Sequence, residues 1–159
     1  MGAERKNGGS RFDGQPTLPP ENPRRNAIVG SDAQLAHLFD TYRLGEGIVD
    51  REELLRRMTI AARHMAPRGD LLDAGPSVSF FWRGVQWWPL FQFDGNMKVR
   101  LEVVRVVQEL TDIVSDWEIA SWFLTPNTWL DDLMPISRVF KDSKAVLQAA
   151  RADRFIAVG

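Results

Sequence analysis

The chain has no cysteine and only two histidines in 159 residues. The first absence excludes disulfides, thiol nucleophiles and zinc sites built on thiolates. The second leaves His37 and His64 as the whole imidazole inventory. Charge of one sign is lacking too: 20 basic side chains face 21 acidic ones, for a net charge of −1. A chain so balanced exerts no overall pull on nucleic acid or on an anionic membrane. No run approaches the roughly 18 apolar residues of a membrane span. The basic N-terminus is not followed by the apolar stretch of a secretory signal, so a cytoplasmic location without membrane contact is expected. Internal repeats are absent. No Gly-rich phosphate loop occurs, because Gly8-Gly9 and Gly45/Gly47 lack the strand before, the helix after and the spacing.

What the chain does hold is aromatic mass, with six Trp and nine Phe. Rings of that size bury enough area to stabilise even a small core. Residues 1–30 are rich in Gly and Pro and read as a disordered tail, whose basic pairs Arg5-Lys6 and Arg24-Arg25 are solvated or form a weak nucleic-acid-touching arm. Residues 31–75 read as an N-terminal helical region. Ser31 caps a first helix with Leu35, Leu38, Phe39 and Tyr42 on one face, ended by Gly45 and Gly47. Asp50 and Glu53 open a second, which carries Leu54, Leu55, Met58, Ala61, Ala62 and Met65 and is stopped by Pro67 and Gly69. Two helices here suggest a degenerate helix-turn-helix, although no recognition helix behind a tight turn is visible.

Residues 76–159 change period. Ser77 to Trp82 and Val85 to Phe91 are aromatic and β-branched, split by Arg83-Gly84, which predicts a β-hairpin with a two-residue turn. Pro89 cannot donate to a ladder, so the second strand is an edge or ends there. A long helix is expected from about Met97 to Val114, then one capped by Asp116 that runs from Trp117 to about Leu124. Pro135 opens a short helix and Ser143 caps a last one. Trp117, Trp122, Phe123 and Trp129 are expected in the core. The predicted fold is mostly α with a small β-hairpin, a compact helical bundle. Its many apolar faces suggest a homo-oligomer.

No catalytic set emerges. His37 and His64 lie on amphipathic helices, and only Asp40 stands at ligand spacing from His37. Glu52-Glu53 suits a first helical turn, and Asp131-Asp132 suits a loop. The aromatic hairpin lacks the basic groove of a base-stacking platform. A non-enzymatic protein without cofactor or metal is expected.

Three stretches carry a family resemblance: Trp88 to Asp94, Trp117 to Leu130, and Pro135-Ile136 through Ala145 to Arg151. The order P-x-F-Q-F, a helix, W-F-x-x-P-N-x-x-L, P and A-V-L-x-A-A-R resembles the toxin-binding domain of Xre/MbcA/ParS-type antitoxins, over about residues 85–155. Asp132 stands where many members carry Gly, and Met134 where Thr or Arg often precedes the proline. The resemblance implies a protein partner, a toxin enzyme often of the RES type that consumes NAD, neutralised when the antitoxin covers its active site. The contacts expected are Asn127, Trp129, Asp131 and Asp132 in one loop, with Arg151, Asp153, Arg154 and Phe155 at the end of the last helix. The alternative is a stand-alone transcriptional regulator or adaptor that keeps the fold without a toxin, with nucleic-acid binding open.

Overall fold

A computed structural model describes residues 30–63 and 76–159. The expected tail with its basic pairs, His64, Met65 and the stop at Pro67 and Gly69 lie outside them. Helix α1 (Asp32–Leu44) starts at a capping box. The Ser31 N–H donates to Gln34 Oε1 at 2.8 Å, and the Gln34 N–H returns to the Ser31 hydroxyl at 3.3 Å. Gly45 ends it by donating to the carbonyls of Thr41 and Tyr42. The chain then forms β1 (Ile48–Asp50), too short to leave a periodic signal. The Asp50 carboxylate accepts the Glu53 N–H at 2.9 Å and so opens α2 (Arg51–Arg63). A strand, rather than a tight helical turn, joins α1 to α2.

The expected hairpin forms with shorter strands, β2 (Phe80–Trp82) and β3 (Val85–Pro89), because Ser77 to Ser79 stay outside β2 and Leu90 and Phe91 enter a 3-10 turn. Arg83 and Gly84 have φ of 52° and 74°. Two left-handed residues in succession make the turn whose twist matches that of the flanking strands. The sheet is antiparallel in the order β1-β3-β2, with Val49 opposite Trp88 and Phe80 opposite Trp87. Strand β3 is therefore central, and of the two roles open to Pro89 the structure selects the strand's end.

That end is finished by a side chain. In the register of the hairpin, Val78 would face Pro89, which has no N–H to offer. The carboxamide of Gln92, buried in a 3-10 turn (Leu90–Gln92), fills the gap. Its Oε1 accepts the Val78 N–H at 2.7 Å, and its Nε2 donates to the carbonyls of Val78 and Pro89, both at 2.8 Å. One amide side chain thus acts as the missing rung of the ladder.

The helix expected from Met97 to Val114 is shorter: α3 spans Leu101–Leu110. Asp94 accounts for the late start, because its carboxylate accepts the N–H groups of Asn96 and Lys98 at 2.8 and 3.0 Å. This local turn competes with helix, puts Met97 at φ 59° and lets Phe93 and Val99 bridge. Helix α4 (Asp116–Leu124) is capped by Ser115 rather than Asp116, since the Ser115 N–H and hydroxyl both donate to Glu118. A 3-10 turn (Thr128–Leu130) and α5 (Pro135–Arg138, with Pro135 in its first turn) follow. Helix α6 (Ser143–Val158) is capped by Asp142, one residue earlier than expected.

The helices and the sheet share one main core. Tyr42 of α1 stacks on Phe91 at 5.8 Å, and Phe91 meets Phe123 of α4 at 5.1 Å. Val103, Val106 and Leu110 of α3 face Val146, Ala149 and Ala150 of α6 within the same cluster. The Tyr42 hydroxyl donates to the Ala120 carbonyl at 2.7 Å, and burial pushes this phenol well above its ordinary pKa. A smaller cluster of Val49, Leu54, Met58 and Phe93 seats α2 on the sheet. Gln92→Leu keeps the volume but leaves three buried backbone groups unpaired. It is expected to cost about 2–4 kcal/mol in urea unfolding, and a loss below about 1 kcal/mol would refute the rung.

Candidate partner-binding surface

The segment after α4 is organised by Asn127. Its Oδ1 accepts the Trp129 N–H at 2.9 Å, which closes the 3-10 turn. Its Nδ2 donates to Asp153 Oδ2 at 2.7 Å, and the same oxygen accepts Trp122 Nε1 at 2.8 Å. Asp153 therefore ties α4, the turn and α6 together from inside the fold. The backbone of Asn127 pairs with Leu133, and its carbonyl accepts the N–H groups of Leu130 and Asp132. Asp131 and Asp132 sit at φ 56° and 59°, a conformation that Asp tolerates better than most residues. Both side chains are exposed.

Trp129 is not the core anchor expected from the sequence, for 59% of it is exposed. The turn that buries Leu130 turns the indole outward. It lines a shallow cleft of about 570 Å³ against Ala145, Ala149 and Ala152 of α6, with Asp142 and Lys144 at one side. Leu133 and Met134 are exposed as well. Three and four residues beyond Ala152 come Phe155 and Ile156, one helical turn further along α6. Phe155 is 79% exposed, and Ile156 and Val158 are open to solvent.

Arg151 and Arg154 leave α6 toward α3. Arg151 Nε donates to Glu109 Oε1 at 2.8 Å, and Arg154 Nη1 to Oε2 at 3.3 Å. These bonds, that of Arg151 foremost, hold the Glu109 carboxyl below its usual range. The eight residues singled out in the sequence thus divide. Asn127 and Asp153 form a clasp, Trp129, Asp131, Asp132 and Phe155 are displayed, and Arg151 and Arg154 grip α3. Sequence reasoning missed Glu109, Trp122, Leu133, Met134, Ile156 and Val158. An ion pair that spans 42 residues of chain leaves no local pattern, whereas the apolar run after Arg154 was a signal for Ile156 and Val158.

Other polar sets have structural partners. Arg56 and Arg57 hydrogen-bond Glu53 and hold its carboxyl down to about 2. His37 is exposed on α1. Among the described residues no group of three His, Cys, Asp or Glu could hold a metal ion, and no helix is long and apolar enough to cross a membrane. Compared with protein families, curated proteins and solved structures, the chain finds no match in any of the three.

Asp153→Ala removes the acceptor of two N–H donors and is expected to cost about 2–3 kcal/mol, with the Trp122 indole N–H resonance displaced. Asp153→Asn, which keeps an acceptor oxygen, should recover part of both. For Glu109 the folded value is depressed, so its contribution is present above the unfolded value near 4.5 and fades as pH falls through the folded one. The Tm gap between the natural chain and Glu109→Gln should be open at neutral pH and close progressively as the medium is acidified below about 4.5. A gap constant with pH would show that the ion pairs do not act as described.

Proposed function

We propose that the chain is a protein-binding module of the antitoxin type, which neutralises a partner toxin enzyme, of the RES type by resemblance, by covering its active site. On this reading α3 to α6 are the helical bundle of the toxin-binding domain, and the partner seats on the end of α6 and the turn beside it. The observation that carries the proposal is the apolar end of α6. Phe155, Ile156 and Val158 are held out on a helix, in the turn after the Ala152 that shares a cleft with the exposed Trp129. Grouped apolar side chains in solvent mark interaction surfaces, and a large ring on a rigid element is a common source of binding energy. A second feature supports the family reading. The backbone is left-handed at Asp132, the position where the family often carries Gly.

The test is co-purification of the tagged chain with the product of the adjacent gene, alongside variants that spare the clasp. Removal of 151–159 would delete Asp153 and unseat Trp122 and Asn127, so the informative truncation ends at Arg154. That truncation and the pair Phe155→Asp, Ile156→Asp should weaken the complex by about 30-fold or more. Because these side chains are exposed, Tm should move by no more than about 2 °C. A complex indifferent to both changes would place the partner elsewhere, and no complex with the natural chain would sink the toxin reading for that neighbour.

A further inference from the structure

Helices α3 and α6 leave between them an open groove of about 480 Å³, lined by Arg105, Gln108, Glu109, Leu147, Arg151 and Arg154. We propose that this groove binds the carboxylates of an acidic segment of the protein partner, an inference that rests on the protein-binding reading above.

Three guanidinium groups share the groove with a single carboxylate, which leaves it two positive charges in excess within a chain whose net charge is −1. Glu109 fixes two of the three. It takes one N–H from Arg151 and one from Arg154, so each guanidinium keeps most of its five donors for a ligand. Their side chains remain 57% and 42% exposed, whereas that of Glu109 is 19% exposed. The carboxylate thus lies beneath two cations that it orients. Arg105 has no ion-pair partner among the described residues and adds a third donor set. Guanidinium groups arranged in this way suit the forked geometry of carboxylates.

One feature favours an acidic peptide over a nucleic-acid backbone. Leu147 supplies an apolar wall, against which the aliphatic stem of a Glu side chain packs and a phosphodiester does not. Continuity completes the argument, because Arg154 is followed directly by the displayed Phe155. A partner that covers the apolar end therefore brings its neighbouring side chains over these cations. Charges at such a rim act chiefly on association rate and salt dependence.

The experiment is a titration of the full chain with an oligoglutamate peptide, followed by amide resonances, with inorganic phosphate as the competing probe. The variants are Arg105→Glu and, as a control for net charge, Arg51→Glu on α2, which packs on the sheet away from the groove. Shifts confined to residues 105–109 and 147–154 are expected. They should weaken about tenfold or more in Arg105→Glu, persist in Arg51→Glu and fall with added salt. Scattered shifts, equal loss in both variants or no binding would overturn the proposal. Phosphate that binds the groove as tightly as the peptide would overturn it as well, in favour of a small-anion site. Co-purification separates the two readings. If oligoglutamate binds while the neighbouring gene product does not, the toxin reading falls and the groove stands. If the partner binds, loses its affinity with Phe155→Asp and is indifferent to Arg105→Glu, the groove proposal falls alone.

Discussion

The fold depends on how a proline is accommodated in the middle of a sheet. Pro89 ends the central strand, and a proline there costs the ladder a donor. The Gln92 carboxamide restores it by turning back over the 3-10 turn and satisfying Val78 and Pro89 together. Because the amide is planar with a donor and an acceptor side by side, it imitates a peptide group as no shorter or charged side chain could. The same 3-10 turn carries Phe91 into the core between Tyr42 and Phe123, and just beyond it Asp94 turns the chain toward α3.

Much of this was legible because it is local. The capping residue Ser31, the Arg83-Gly84 turn and Pro135 at the start of α5 are each decided within four residues of chain. Periodicity found the apolar face of α1 for the same reason. The misreadings also have local causes. Val99 continues the apolar stripe of α3 in sequence, yet the Asp94 carboxylate captures the intervening N–H groups first, and the helix starts at Leu101. Trp129 looked like core because large rings usually are. Its orientation is set by the neighbouring Leu130, whose burial decides which way the turn faces.

The candidate surface was legible by position and not by role. The stretch from Arg151 to Phe155 was singled out as one end of a helix. The helix runs on to Val158, however, and the successive side chains point to different places. Asp153 goes inward to Trp122 and Asn127, Arg151 and Arg154 go across to Glu109, and Phe155 goes to solvent. The partners that separate these roles lie 26 to 45 residues away in the chain. No spacing rule connects them; only the packing of α3 and α4 against α6 does.

This division of α6 has a consequence for how the protein can change over generations. The clasp is a set of interlocking choices, since Trp122 and Asn127 are both satisfied by one oxygen of Asp153. Replacing Asp153 strands both donors, whereas replacing Trp122 or Asn127 leaves the other's bond to Asp153 in place. Beyond Arg154, by contrast, Phe155, Ile156 and Val158 are exposed. Exposed in this way, they can be substituted with little effect on the scaffold that presents the helix.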